Sequence, residues 1–406
     1  MSRVLGARRR LLCCERPSLA QPRVVIVGAG FAGLEASRLL RGRPLQVSVV
    51  DPAATFSWMP NLHEVLSDRK TPEMLSLPRH DLVRRWGHTA VLERALHIDP
   101  RAQEVHLGSG RCLAYDIAFV ATGGRSAIAE VPALAVHSHS LRSVDDAHRI
   151  RERLRTLEGS GRDHHVVVAG GGFVGVEVVG ELLRAPVARR RITLVDGGPR
   201  LMAGTPRSLH RALSRQLARA GVDVRLGDGI TAIEPERVVL RRSGALPADL
   251  TIEALGLGPS PLLAASGLST TEGWGAVRPT LQSPMHDNVF VIGDGAAVGS
   301  LAKQAYHALM MGASAARNTE RVAQGRTALP FRAMQEAFLL TLGSAATYLI
   351  AGPLALQNRS LAAAREAIFQ VGMLKLDPAS GAEGRGRFRT RARLSVLQRV
   401  WPQTTG

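Results

Sequence analysis

The chain has 406 residues, of which 45% are hydrophobic and 21% charged, and its formal net charge is +18. This length suits two or three domains, and the apolar fraction allows a sizeable core, which argues against a largely disordered chain. The cysteines are Cys13, Cys14 and Cys112, and none forms a CxxC pair. A disulfide framework and a redox-active dithiol are therefore disfavoured, and an odd cysteine count fits a reducing compartment.

Both ends of the chain are basic. Residues 1–22 contain only a short apolar patch, Leu11–Cys14, which is shorter than a signal peptide requires, and we predict a disordered basic arm. Residues 381–406 include the arginine-rich run GRGRFRTRARLSVLQRVW, whose apolar side chains could share one helical face. This tail is predicted either to lie on an anionic membrane surface or to be disordered.

A strand–turn–helix–strand unit begins at Arg23. RVVIV predicts a buried strand, GAGFAG a glycine turn, LEASRLLRG a helix, and QVSVVD a second strand that ends at Asp51. Gly28, Gly30 and Gly33 fit the dinucleotide fingerprint, in which they allow the tight turn, the approach of a pyrophosphate and close helix packing. The helix N-terminus can bind phosphates, and Asp51 can accept hydrogen bonds from an adenosine ribose.

The same unit recurs from His164. HHVVVAGGG enters a second glycine turn, FVGVEVVGELLR predicts a helix, and RITLVD ends at Asp196. A carboxylate at this position suits the free 2′-hydroxyl of NADH and repels the 2′-phosphate of NADPH, although Arg200 could weaken that preference. Glu177 is predicted in the first turn of this helix, either as a cofactor residue or as an acid that favours the helix dipole.

The remaining chain carries a third motif and an apolar segment. After the loop-rich stretch 52–85 and several short strands, DNVFVIGDGAAV predicts a strand ending at Gly293 and Asp294 before a helix. Asp294 could accept from a ribityl hydroxyl, and the helix N-terminus could face a flavin pyrimidine edge. The charge-free segment Phe338–Leu356 is predicted as a hairpin, because glycines and a proline interrupt it. No metal-ligand spacing is found, so no metal site is predicted.

These motifs resemble the pyridine nucleotide-disulfide oxidoreductase-like flavoproteins with two dinucleotide-binding domains, and among them the type II, non-proton-pumping NADH dehydrogenases. The matching stretches run from Arg23 to about Arg332 and include RVVIVGAGFAGLEA, TFSWMPNLHEV, LAYDIAFVATGG, HHVVVAGGGFVGVEVVGEL, RITLVDGGPRLM, DLTIEALGLGPSPLL and DNVFVIGDGA. The resemblance implies an enzyme that transfers hydride from NADH to N5 of FAD and passes two electrons to a quinone-like acceptor.

The implied fold class is α/β, with two Rossmann-like domains, the NAD domain inserted in the FAD domain, and a small C-terminal α+β region. The predicted boundaries are 23–148 and 256–328 for the FAD domain, 149–255 for the NAD(H) domain and 329–380 for the C-terminal hairpin and helix. The arm 1–22 and the tail 381–406 flank these domains.

The resemblance also assigns candidate cofactor residues. For FAD these are Gly28, Ala29, Gly30, Phe31, Ala32, Gly33, Asp51, Met59, Pro60, Ala95, Ala121, Thr122, Gly123, Gly293, Asp294 and Ala305. For NADH they are Gly170, Gly172, Phe173, Val174, Gly175, Glu177, Asp196 and Gly256. FAD and NADH are thus the expected cofactors, with NADPH less favoured.

The acceptor side departs from the family pattern. Tyr306 and Met310 stand where the family has two glutamines flanking the quinone, while Lys303 is retained. A tyrosine can donate to a quinone carbonyl, whereas a methionine cannot; alternatively, the pair forms a core face of the helix. His63 replaces a usual proline beside Glu64, and both could deliver protons to a reduced quinone. Glu64, Tyr306 and Lys303 are the candidate catalytic residues.

Several alternatives stay open at this stage. A sulfide:quinone oxidoreductase would need a cysteine pair at the flavin, and the catalytic body contains only Cys112. A reductase of a ferredoxin-like protein would use the basic surface to bind an acidic partner, and a signalling flavoprotein resembling the apoptosis-inducing-factor group would turn over slowly. Nucleic acid is not expected, since aromatic residues make up 4% of the chain. We expect a cytoplasmic protein, with peripheral attachment to the inner face of the cell membrane and a homodimer as further options.

Overall fold

The computed structural model describes residues 21–127, 136–184 and 189–378. The predicted tail 381–406 and nearly all of the predicted arm 1–22 lie outside these residues. Within them the helices are α1 (Phe31–Leu40), α2 (Arg79–Arg85), α3 (Val144–Gly159), α4 (Phe173–Arg184), α5 (Arg207–Arg219), α6 (Pro261–Ala265), α7 (Ala305–Ala323) and α8 (Leu361–Leu376).

The strands fall into a first part of the chain and a second. The first part contains β1 (Arg23–Val27), β2 (Gln46–Val50), β3 (Thr55–Ser57), β4 (Ser76–Pro78), β5 (Thr89–Val91), β6 (Ala95–Asp99), β7 (Glu104–Leu107), β8 (Cys112–Ala114), β9 (Ile117–Val120), β10 (Gly124–Ser126) and β11 (His139–Ser140). The second contains β12 (His164–Ala169), β13 (Arg190–Asp196), β14 (Asp223–Leu226), β15 (Ile230–Glu234), β16 (Arg237–Leu240), β17 (Gly244–Pro247), β18 (Leu250–Glu253), β19 (Leu257–Pro259), β20 (Val289–Val291), β21 (Phe338–Leu342), β22 (Ala346–Ala351) and β23 (Leu354–Gln357).

Two parallel sheets carry the two glycine turns. The first has the order β20-β9-β1-β2-β5, so a strand from late in the chain pairs with β9 from its first third. The second has the order β11-β18-β12-β13-β14, and its strands lie between β9 and β20 in the chain. Each central strand is a buried apolar run, as is typical of parallel sheets covered on both faces. The predicted α/β fold class, with one Rossmann-like unit inserted in another, is confirmed.

The apolar segment after α7 is a hairpin, as its interrupting glycines predicted. β21, β22 and β23 form an antiparallel sheet, and α8 follows them. In the part of the chain that the structure describes, no helix is both long and apolar enough to cross a bilayer. The smaller sheets are all antiparallel and consist of β3-β4, β6-β7-β8, β10-β19 and β15-β16-β17.

The stretch 52–85 is more ordered than the sequence indicated. It contains the 3₁₀ helix Met59–Val65, the short hairpin β3-β4 and helix α2. Several of its apolar side chains, among them Leu75, Leu77 and Leu82, are fully buried. Periodicity could not reveal this order, because each element is too short to show a period and is held in place by burial of its apolar side chains.

Candidate functional site

The first glycine turn lies at the carboxyl end of β1. Gly28 has φ = 97°, and a Cβ there would lie 2.5 Å from the carbonyl oxygen of Ala121, so only glycine fits. The N–H of Ala29 donates to Oδ2 of Asp51 at 2.8 Å. Gly30 caps α1 without a side-chain acceptor, and the space around its α-carbon is open. The first N–H groups of α1 are therefore free of side-chain caps and suited to a pyrophosphate.

Asp51 is held by a residue that sequence reasoning missed. The guanidinium of Arg79, from the start of α2, pairs with Oδ1 of Asp51 and also donates to the carbonyl oxygen of Ala53 at 3.2 Å. Arg79 is only 8% exposed, so this is a largely desolvated ion pair. No motif marks Arg79 in the sequence, because it lies 28 residues after Asp51 and meets it only through tertiary folding.

The second glycine turn repeats the same geometry. Gly170 has φ = 118°, and a Cβ there would collide with the carbonyl oxygen of Ala254. The N–H of Gly171 donates to Oδ2 of Asp196 at 2.6 Å, and the N–H of Gly198 donates to Oδ1 at 2.6 Å. These bonds fix a negative charge at the end of β13, beside the N-terminus of α4, where the ribose of a dinucleotide is expected.

The third motif meets the first turn at the end of β9. Lys303 Nζ donates to the carbonyl oxygen of Asp294 at 2.6 Å and lies 3.6 Å from the centre of the Trp274 ring. Burial raises the pKa of Asp294, which the nearby Lys303 and Arg142 partly oppose, and burial lowers the pKa of Lys303. Thr122 Oγ1 is buried and has no hydrogen-bond partner among the described residues, so it is available to a ligand.

The predicted flavin loop forms the 3₁₀ helix Met59–Val65. Met59 and Pro60 are exposed at its start, while the Trp58 ring before it is buried between Phe31 and Phe369, with ring centres 5.1 and 5.9 Å away. The carbonyl oxygen of Pro60 accepts a hydrogen bond from Arg365 Nη2 at 2.6 Å. The loop is thus fixed from beneath by α1 and α8.

Glu177 differs from its sequence interpretation. Because α4 begins at Phe173, Glu177 lies beyond the first turn, and the helix-dipole explanation is wrong. Its buried carboxylate pairs with Arg365, accepts from the N–H of Thr341 at 3.3 Å and lies 3.6 Å from His63 Nδ1. Burial raises the pKa of Glu177, while Arg365 opposes that shift.

The residue equivalent to Glu177 in the first unit is Glu35, two positions after Gly33. It is also buried, and it pairs with Lys375 Nζ at 2.7 Å and with Arg38 Nε at 2.9 Å. Helix α8 therefore supplies one cation to the same position of each nucleotide-binding helix. Sequence reasoning named neither Arg365 nor Lys375, and only the duplication of the glutamates could have drawn attention to them.

The three candidate residues on the acceptor side contact different parts of the protein. Glu64 is buried, accepts from the Asn61 amide at 3.0 Å and lies 3.6 Å from Lys70 Nζ, whereas Lys303 contacts Asp294. The Tyr306 hydroxyl donates to Met334 Sδ at 2.6 Å.

The side chain of His63 is enclosed next to Glu64. Burial, together with the nearby cations, above all Arg365, holds the pKa of His63 well below its ordinary value. His63 is therefore a neutral imidazole in the folded protein at neutral pH.

A histidine that the sequence analysis did not select lies beside Tyr306. His307 is 2% exposed, its Nδ1 lies 2.9 Å from the carbonyl oxygen of Ala302, and its Nε2 is buried without a partner among the described residues.

The remaining candidates occupy varied positions. Ala305 is the first residue of α7, and Gly293 begins the 3₁₀ turn Gly293–Gly295 that follows β20. Gly256 has φ = 94°, and its carbonyl oxygen accepts from the N–H of Ala127 at 3.2 Å. Ala95 begins β6, in an antiparallel sheet separate from the one that carries the first glycine turn. The parallel sheet with the first glycine turn ends at β5, and there the carbonyl oxygen of Val91, not a group of Ala95, accepts a hydrogen bond from the N–H of Asp51.

Comparison with known proteins agrees with this geometry. Residues 22–312 match the pyridine nucleotide-disulphide oxidoreductase family. The chain belongs to this family. The family member demethylphylloquinone reductase from Synechocystis is 27% identical over 368 residues, which are 84% of this chain and 91% of that protein. A type II NADH:quinone oxidoreductase from Haemophilus influenzae is 26% identical over 326 residues, covering 68% of this chain and 73% of that protein.

Another relative and two solved structures also match the chain. Putidaredoxin reductase from Pseudomonas putida is 33% identical over 276 residues, which are 63% of this chain and 62% of that protein. Among solved structures, the type II NADH dehydrogenase from Plasmodium falciparum in complex with NADH superposes with a TM-score of 0.78 at 13% identity, covering 90% of this chain and 99% of that one. The sulfide:quinone oxidoreductase from Aquifex aeolicus gives 0.77 at 17% identity over 93% and 95%. At these identities the structures show the fold alone, while the family and its type II relatives confirm the predicted resemblance.

Proposed function

We propose that this chain is an NADH:quinone oxidoreductase that binds FAD at its first glycine turn and NADH at its second. The observation that carries the proposal is the duplicated turn, in which Asp51 and Asp196 each accept a backbone N–H from the glycine loop. Two dinucleotide sites on one chain suit a reaction between a resident dinucleotide and a diffusing one. The names of the relatives supply the quinone as the acceptor.

The residues present fit FAD. The space at Gly30 and the uncapped start of α1 suit its pyrophosphate, Asp51 its adenosine ribose, and the buried Thr122 hydroxyl offers a hydrogen bond where β9 ends. Asp294 would bind the ribityl chain, and the N-terminus of α7 would face the pyrimidine edge. When bound, FAD supplies the chemistry that accepts a hydride and releases electrons. Replacement of Asp294 by alanine should remove FAD, and a variant with full flavin absorbance would contradict this assignment.

The nicotinamide carrier is NADH rather than NADPH in this proposal. The carboxylate of Asp196 is fixed by the N–H groups of Gly171 and Gly198, and a fixed negative charge repels a 2′-phosphate. We expect a higher kcat/KM with NADH than with NADPH, and Asp196→Ala should narrow the difference. Equal kcat/KM values for NADH and NADPH in the unaltered protein would contradict the proposed preference for NADH.

The quinone would approach near the start of α7, where Tyr306 lies. Its hydroxyl, which donates to Met334 Sδ, could turn to a quinone carbonyl instead. Tyr306→Phe should slow reoxidation of the flavin by quinone and leave its reduction by NADH unchanged, as measured by stopped flow. The reverse pattern would place the acceptor elsewhere. Glu64 and Lys303, which lie in separate surroundings, stay candidates for proton delivery and for positioning.

A second candidate is a reductase of a ferredoxin-like protein. It is supported by the identity of 33% with putidaredoxin reductase and by the net charge of +18, which would attract an acidic partner. Steady-state NADH oxidation with quinones, ferricyanide and a ferredoxin, with and without lipid vesicles, separates the two functions. Rapid flavin reduction without turnover on any acceptor would instead favour a signalling flavoprotein.

We also propose that the protein attaches peripherally to an anionic membrane, at the inner face of the cell membrane. Leu354, Leu356 and Ile368 project from the C-terminal hairpin and helix with exposed fractions of 58%, 56% and 40%. Exposed apolar side chains, followed along the sequence by a basic segment, suit an anionic lipid surface. The full chain should co-float with anionic but not with neutral vesicles, and a chain shortened at residue 380 should lose this binding. Size-exclusion chromatography with light scattering on the protein alone tests the homodimer.

A further inference from the structure

A row of metal-binding side chain types crosses the sheet β6-β7-β8, away from both glycine turns. His97 of β6 lies opposite His106 of β7, and His106 lies opposite Cys112 of β8. Glu104 precedes His106 by two residues and therefore points to the same face of the sheet. Antiparallel pairing thus gathers a thiol, two imidazoles and a carboxylate from three strands.

The donor atoms are close to one another. Cys112 Sγ lies 3.2 Å from His106 Nδ1, and one ligand atom from each of Glu104, His106 and Cys112 lies within 4.8 Å of the others. Nitrogen, oxygen and sulfur donors around a tetrahedral zinc ion are about 3.5 Å apart, given bond lengths of about 2.0–2.3 Å. Small side-chain rotations would bring these three donors to such spacings.

His97 is placed to complete the group. Its ring centre lies 5.6 Å from that of His106, and its Nδ1 lies 2.9 Å from the carbonyl oxygen of Ala265 in α6. A histidine that binds a metal through one nitrogen usually donates the other N–H to a carbonyl or carboxylate. When Nδ1–H of His97 donates to the Ala265 carbonyl, its Nε2 carries the lone pair that a metal ligand needs.

The donor set selects the kind of metal. Thiolate and imidazole ligands favour zinc and related borderline or soft ions, whereas magnesium and calcium prefer a full set of oxygens. Cys112 is exposed, and the side chains of Glu104 and His106 are each 40% exposed, so an ion can reach the site from solvent. We propose that Glu104, His106 and Cys112, with His97 as fourth ligand, form a surface Zn²⁺ site that is independent of the flavin and nicotinamide sites.

The test is calorimetric titration of the flavin-loaded protein with Zn²⁺. It uses a Cys13→Ser/Cys14→Ser background, in which Cys112 is the only cysteine. We expect one Zn²⁺ per chain, and at least a tenfold loss of affinity in both Cys112→Ser and His106→Ala. His148→Ala, which removes an exposed histidine from α3, should leave the affinity unchanged. Flavin content, measured by absorbance, shows that each variant is folded.

A second measurement reads the thiol directly. Zn²⁺ should slow alkylation of Cys112 in the same background by at least tenfold, and Glu104→Gln should reduce this protection. Absence of stoichiometric Zn²⁺ binding, equal affinity in Cys112→Ser, or alkylation that Zn²⁺ does not slow would each overturn the proposal. These results do not depend on NADH oxidation, so the site can fail while the proposed enzymatic function stands.

Discussion

The two glycine-turn units have the same backbone geometry but different surroundings. In each, a glycine with positive φ passes under a carbonyl group, and the next residue donates its N–H to an aspartate at the end of the second strand. Asp51, however, is covered by the buried Arg79, whereas the structure records no ion pair for Asp196 within the described ranges. The aspartate of the first unit is thus paired with a buried cation, whereas among the described residues that of the second accepts only from backbone N–H groups.

Helix α8 shows a matching asymmetry. Arg365 meets Glu177 with side-chain exposures of 11% and 9%, whereas Lys375 meets Glu35 with exposures of 26% and 3%. Arg365 also binds the carbonyl oxygen of Pro60 in the predicted flavin loop. Through this one side chain, the helix of the second unit is connected to the loop of the first.

The largest effect should come from adding one methyl group to each turn. Gly28→Ala should abolish flavin binding, while Gly170→Ala should keep the flavin and raise the KM for NADH. A non-glycine residue forced to a positive φ costs about 1–3 kcal/mol, and the added Cβ would lie 2.5 Å (Gly28) or less (Gly170) from a backbone carbonyl oxygen, so neither turn can keep its geometry. Flavin absorbance and steady-state kinetics measure the two effects, with Gly159→Ala, at an unstrained and open position, as the control. Loss of flavin in Gly170→Ala alone would reverse the assignment of the two sites.

The next largest effect tests α8. Arg365→Met should lower the free energy of unfolding by about 3–5 kcal/mol, because it leaves the buried Glu177 carboxylate unpaired. Lys375→Met should have a smaller effect, since the side chain of Lys375 is more exposed to water than that of Arg365. Denaturation in urea measures both.

The matched control for these variants is Arg155→Met, which removes an ion-paired arginine whose side chain is 51% exposed. It should change the free energy of unfolding by less than about 1 kcal/mol. A double variant, Glu177→Gln/Arg365→Met, should recover part of the loss, because no buried charge is then left alone. If Arg365→Met were no more destabilising than Arg155→Met, the ion pair between Arg365 of α8 and Glu177 would not contribute to stability.

A third prediction compares the two aspartates. Asp51→Asn should lower the free energy of unfolding by about 1.5–3 kcal/mol, since the buried Arg79 loses its charged acceptor. Asp196→Asn should lower it by about 0.5–1.5 kcal/mol, because an amide oxygen can still accept from one of the two N–H groups of Gly171 and Gly198, and no buried cation loses its partner. Chemical denaturation of the flavin-free proteins measures the two values without the contribution of bound cofactor. Equal losses would show that Arg79 does not distinguish the two units.

The smallest effect concerns pH. Burial holds the pKa of His63 well below 6.5, so the folded protein disfavours its protonated form. As pH falls below about 6.5, the unfolded chain binds this proton and the folded one does not, so stability decreases. His63→Gln should reduce the slope of unfolding free energy against pH by up to about 1.4 kcal/mol per pH unit between pH 6.5 and 5. His148→Gln, at an exposed position, should leave the slope unchanged.

Much of the fold could be predicted because its signals are local. The glycine spacing, the buried strand runs and the terminal aspartates lie within about thirty residues of one another, which is the length of one βαβ unit. The hairpin after α7 was also predictable, since glycines and a proline divide Phe338–Leu356. By contrast, Arg79, Arg365 and His307 carry no local signal. Glu177 is the fifth residue of a helix whose start at Phe173 the sequence did predict, so its assignment to the first turn was wrong although the helix boundary was right.

The sequence by itself therefore determined that two dinucleotide-binding units exist, and which glycines and aspartates form their turns, because those turns have backbone conformations that few residues can adopt. The tertiary structure alone decided which charges meet. Arg365 lies 188 residues from Glu177, Lys375 lies 340 residues from Glu35, and the row His97, His106 and Cys112 depends on strand register. Such pairings follow from packing over long separations, which residue spacing along the chain does not encode.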